Sequence, residues 1–133
     1  MGIKMKLEDL LKDILKEKDV LMSVNTGGAV IEMRVNSDLP FKANENWITI
    51  GENDGPCHMH INKNEVKEVR FVKEEQENRT SYSIRLINVK GERLIAAFFT
   101  KMQDENGRPV KEKVERYENI FRKYGSKEII ALM

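Results

Sequence analysis

The chain has 133 residues, 40% hydrophobic and 34% charged, and its 23 Lys and Arg against 22 Asp and Glu leave a net charge of +1. This composition excludes the disordered and membrane-embedded classes, and the charge gives no general attraction for nucleic acid, anionic lipid or other polyanions. A chain of this length buries about two-thirds of its unfolded surface, enough for one domain spanning 1–133.

The single Cys57 permits no internal disulfide, and Met1–Lys6 is short and carries Lys4 and Lys6, so it lacks the apolar core of a signal peptide. Both features predict a cytoplasmic protein. Gly2 opens like a myristoylation site, but Lys6 stands where that motif needs Ser or Thr, and none is expected.

Leu7, Leu10, Leu11, Ile14 and Leu15 recur at helical spacing opposite Lys12, Asp13, Lys16 and Glu17, predicting an amphipathic helix from about Lys6 to Lys18. Val20, Met22 and Val24, then Ile31, Met33 and Val35, alternate on either side of Gly27-Gly28 and predict a hairpin. Asn36 to Asn46 has little periodicity and reads as a loop leading to a strand at Trp47–Gly51. After the turn at Asn53 to Pro56, a strand is expected from Cys57 to about Asn62, then a polar turn at Lys63 to Glu65.

Val69 and Phe71 mark another strand, Glu74 to Asn78 a charged loop, and Tyr82, Ile84 and Leu86 the inward face of a long strand. Leu94 to Phe99 is apolar on both alternating faces, the pattern of a central strand covered on both sides. Val114, Tyr117, Phe121 and Tyr124 fall on one face of a second helix that ends near Gly125. The expected fold is therefore α+β, an antiparallel sheet of about seven strands with an amphipathic helix at each end.

Both histidines lie in one stretch. In an extended strand His58 and His60 project to one face, and Cys57, Met59 and Ile61 to the other, which must be the core face. The imidazoles then point into water or into a groove closed by another element. Two imidazoles on one strand face can share a metal ion, but mononuclear zinc needs three or four ligands, and no further histidine, second cysteine or patterned carboxylate is nearby. Cys57 reads as a small buried apolar residue. Gly27-Gly28 stands between strands rather than before a helix, so it is no phosphate loop, and no nucleophile-base pair can be assigned. No enzymatic signature is complete.

An ordered series of segments runs through the chain: Val20 to Thr26 before a tight turn, Val30 to Glu32, Leu39-Pro40, the strand led by Trp47, a glycine-containing turn, and His60-Ile61. Val69 to Val72, Ser83 to Leu86, a glycine turn and a closing aromatic helix complete it. In order and spacing, from about Val20 to Tyr124, the chain resembles the haem-utilisation carriers of the ChuX/HutX type, single-repeat relatives of the HemS-like haem proteins. That resemblance implies a HemS/ChuX-like fold, a homodimer and haem or another tetrapyrrole as ligand, received or stored in the cytoplasm for iron utilisation. It places His60 on a haem-contacting histidine of the family. It places Asn25, which is no ordinary iron ligand, on the other, and leaves His58 without a counterpart.

A porphyrin also needs cations for its propionates, and Arg70 and Arg85 on neighbouring strands are the candidates. Three readings follow. They are a non-enzymatic haem carrier or store, a dimeric interaction domain that binds no ligand, and a haem-degrading or histidine-metal enzyme.

Overall fold

The computed structural model describes residues 5–132. The amino-terminal start signals weighed above, Gly2 among them, fall largely outside those residues.

Two α-helices, nine strands and a short 3-10 turn at Lys63–Glu65 are present among the described residues. Helix α1, Leu7–Leu15, buries Leu7, Leu10, Leu11, Ile14 and Leu15, the stripe its sequence spacing predicts, with Glu8 and Asp9 at its positive end. Strands β1, Val20–Asn25, and β2, Val30–Val35, form the hairpin. Next come β3, Phe41–Ala43, β4, Trp47–Gly51, and β5, His58–Asn62, then the long pair β6, Glu68–Gln76, and β7, Arg79–Ile87. Strand β8, Arg93–Phe99, helix α2, Lys111–Lys123, and β9, Ile129–Ala131, complete the chain.

The strands make two antiparallel sheets. The larger has the order β2-β1-β8-β7-β6-β9, and the smaller is β3-β4-β5. The fold class is as expected, with more strands than the seven anticipated. Strand β3 lies inside the stretch read as a loop, and β9, which follows the second helix, pairs with β6. The charged loop expected at Glu74 to Asn78 is almost entirely strand, leaving only Glu77 and Asn78 between β6 and β7.

Register fixes which side chains share a face. Val20 and Tyr82 both pair with Phe99, Met22 and Ile84 with Ala97, and Phe71 with Ile84, so these residues line one side of the larger sheet. Helix α2 packs there through Tyr117, whose ring meets Phe71, Tyr82 and Phe99 edge to face at 6.0, 5.1 and 5.1 Å between centroids. The Tyr117 hydroxyl donates to the Ser83 carbonyl at 2.9 Å. Burial pushes that phenol far above its ordinary pKa, so it stays protonated.

Three ion pairs hold α1 and the residues after it to α2: Asp13 with Lys123, Glu17 with Arg116, and Asp19 with Lys113. Gly125 stops α2 at φ +96°, a left-handed conformation that side-chain-bearing residues resist. The smaller sheet presents Ile48, Ile50 and Ile61 to the same core. It is tied to α1 by Lys12 over the Phe41 ring and, just after β5, by Lys63 on Glu8.

The opposite side of the larger sheet is less covered than the apolar run of β8 suggests. Ala96 is buried there, but Leu21 and Phe98 are only half-buried and border a groove of about 400 Å³ with Glu32, Glu74 and Arg85.

Candidate functional site

Strand β5 shows the alternation expected of it: Ile61 is buried and Met59 half-buried, while His58 and His60 are exposed. Cys57 departs from expectation. Strand β5 begins only at His58, so the thiol belongs to the preceding turn, escapes the alternation, and is exposed rather than buried.

The β4–β5 register sets Thr49 opposite His60, Gly51 opposite His58 and Trp47 opposite Asn62. Thr49 Oγ1 and His60 Nδ1 stand 2.8 Å apart. In the tautomer that donates Nδ1–H to the hydroxyl, Nε2 keeps its lone pair, the arrangement that readies a histidine for a metal. The His58 and His60 rings meet at 5.0 Å and 72°, and Trp47, 44% exposed, stands edge-on to His60 at 6.5 Å. An indole and two imidazoles thus form an outward aromatic cluster.

Gly51 shapes the edge of this cluster. At φ +100° it adopts a conformation open chiefly to glycine, and a Cβ there would lie 2.8 Å from the Cys57 carbonyl oxygen. The backbones at the start of β5 therefore approach closely opposite His58.

The other candidate residues lie on the larger sheet. Arg70 and Arg85 are direct cross-strand partners, and Arg85 pairs in turn with Ala96, which pairs with Ser23. Asn25, two residues beyond Ser23, shares that face by alternation. Each of the three is already engaged. Arg70 binds Glu68, Arg85 binds Glu74 and donates to the Ser83 hydroxyl at 3.1 Å, and Asn25 Oδ1 accepts from the Gly27 amide at 2.9 Å.

The fold thus brings the two histidines together and the two arginines together, on different sheets, and no described contact joins the groups. Of four surface grooves among the described residues, one is lined in part by Arg70 and another by Arg85, and none by either histidine. Sequence reasoning missed Thr49 and Trp47 as neighbours of His60, because their apposition depends on the β4–β5 register.

The fold is shared with solved structures. Over 90% of this chain and 72% of the other, it matches a crystal structure of ChuX with TM-score 0.72 at 15% identity. A protein from Agrobacterium tumefaciens matches at 24% identity with TM-score 0.67, over 89% of this chain and 64% of that one. A protein-family model matches residues 8–125. The chain belongs to the ChuX-like family.

This ChuX-like chain also matches apo-PhuS, a heme-binding protein from Pseudomonas aeruginosa, over 85% of its own length but 32% of PhuS, with TM-score 0.66 at 14% identity. A second ChuX structure, described as a heme-binding protein, aligns over 89% of this chain and 72% of that one with TM-score 0.73 at 13% identity. No curated protein matches the sequence significantly.

Proposed function

We propose that this ChuX-like chain binds haem or a related tetrapyrrole through His60 and serves as a carrier or store in haem or iron utilisation. It works in the cytoplasm, as a homodimer, and without making or breaking a bond in its ligand. The observation that carries the reading is the contact between His60 Nδ1 and Thr49, which orients an exposed imidazole and leaves Nε2 to a metal. The shared fold supports it, since ChuX and PhuS are heme-binding proteins.

The donor set fits haem iron in part. An imidazole is an ordinary axial ligand, His58 stands beside it as a second, and Trp47 offers a flat apolar surface to a porphyrin. Among the described residues nothing forms an opposing wall at this face, and a second copy is the proposed source of it. Arg70 and Arg85, on the other sheet from His60 in one chain, are the proposed propionate partners from the second copy, in exchange for Glu68 and Glu74. Asn25 is a proposed contact without a bond to iron. When bound, the haem supplies the iron that His60 ligates. The chain's own task is to hold that imidazole in one tautomer and exclude water from the porphyrin.

The test is a haemin titration of purified protein with its native mass. A shifted Soret band that His60→Ala weakens is expected, on a dimer. An unchanged spectrum of free haemin overturns the proposal. The commitment of Asn25 to its own turn favours a second reading, a dimeric interaction domain without a ligand. A dimer that leaves haemin free would establish that one. Adding a reductant and oxygen separates carrier from haem-degrading enzyme: a carrier keeps its Soret band, and an enzyme bleaches it.

A further inference from the structure

Two ligands of one metal ion cannot stand at an arbitrary separation. A ring nitrogen bound to zinc or a similar ion lies about 2.0–2.1 Å from it, which puts the imidazole centroid about 3.2 Å away. Two such rings at about 90–109° around one ion have centroids about 4.5–5.2 Å apart. The His58 and His60 centroids are 5.0 Å apart. The rings therefore already have the spacing of a shared ion, on a strand that fixes their backbones, and Thr49 holds one of them by its Nδ1 at 2.8 Å.

We infer that His58 and His60 chelate one divalent transition-metal ion of the copper(II), nickel(II) or zinc(II) class, with water in the remaining positions. Imidazole nitrogens select these ions over magnesium and calcium, which prefer oxygen donors. The described residues hold no group of three or more His, Cys, Asp or Glu able to surround an ion, so protein supplies two ligands and solvent the rest. Such a site is open and exchangeable, unlike a structural zinc with four protein ligands. Copper(II) binds tightest in the series. Thr49 is a positioning residue that acts through His60.

This chelate stands apart from the haem reading, although both use His60. Where both hold, an ion across the two rings occupies the nitrogen that haem iron needs, and the two ligands compete.

The untagged full chain carrying Cys57→Ser, so that no exposed thiol can bind or reduce the ion, is stripped with a chelator and titrated with copper(II) by calorimetry and by electron paramagnetic resonance. One ion per chain is expected, with superhyperfine coupling from two nitrogens. His58→Ala and His60→Ala should each weaken binding by about tenfold or more, and Thr49→Val by about tenfold, the usual effect of losing a ligand's hydrogen-bond partner. Both histidines are exposed, so circular dichroism should show these variants folded. A double alanine variant that binds copper with unchanged stoichiometry and affinity overturns the inference, as does coupling from one nitrogen only.

Haemin titration with and without zinc(II), which is redox-inert, separates this inference from the function proposed above. Copper binding without haemin binding removes the haem reading and leaves the chelate. Haemin binding through His60 without copper binding removes the chelate and leaves the haem reading. With both, zinc should raise the haemin needed for half-saturation of wild type several-fold, and leave His58→Ala much less affected.

Discussion

Removing only the hydroxyl of Tyr117 tests how α2 is fixed to the larger sheet. The residue is 1% exposed, donates to the Ser83 carbonyl at 2.9 Å, and touches three aromatic rings. Tyr117→Phe keeps the ring contacts and deletes one buried hydrogen bond, leaving a carbonyl short of a partner at a cost of about 1–2 kcal/mol. For a chain of this length that corresponds to a fall of about 3–8 °C in Tm. Tyr117→Ala also opens a cavity under Phe71, Tyr82 and Phe99 and should cost about 3–5 kcal/mol. Urea unfolding followed by far-ultraviolet circular dichroism measures both. A Phe variant within about 0.3 kcal/mol of wild type would refute the role given to the hydroxyl. An Ala variant losing under about 1.5 kcal/mol would refute Tyr117 as the centre of the helix contact.

Stability should fall in acid. The Lys113 hydrogen bond holds Asp19 below the usual carboxylate range, and at Asp13 burial pushes upward but the bonds from Lys123 and Tyr124 outweigh it. A depressed folded pKa adds stability that is fully present above the unfolded value of about 3.9 and disappears as pH drops through the folded value. Asp13→Asn and Asp19→Asn should therefore flatten the acid limb of a Tm-against-pH curve below about pH 4. Gly51→Ala, which forces a Cβ against the Cys57 carbonyl at positive φ, should cost about 2 kcal/mol or more in urea unfolding. Cys57 should react with a thiol reagent in native buffer without denaturant, because the folded chain leaves it exposed.

Much of this architecture is legible where one physical signal dominates. Helices α1 and α2 bury one stripe each, so their spacing shows in the sequence, and β8 betrays its central place by apolar residues on both faces. Strand β3 has three residues, too few for a period, and β9 is recognisable only once β6 is there to pair with it. The outer ends of β6 and β7 run beyond the core with Glu74, Glu75 and Gln76 all exposed, so water on both faces erases the alternation and a strand reads as a charged loop.

The same division holds at the site. That His58 and His60 share a face follows from a two-residue period, which any strand obeys. Their neighbours Thr49 and Trp47 depend on the length of the turn between β4 and β5. Whether Cys57 lay inside or outside β5 depended on one residue at the strand end, where the alternation rule has no force. The larger sheet separates Arg70 and Arg85 from the histidines, a consequence of topology that spacing along the chain does not encode.

The most direct measurement of the central claim is the Soret spectrum of haemin mixed with equimolar protein, recorded for wild type and for His60→Ala. A red-shifted band that saturates at a fixed stoichiometry and collapses toward free haemin in the variant is the expected result. Identical saturating spectra for the two proteins would show that haem is held elsewhere, and no shift in either would show that this chain does not hold it.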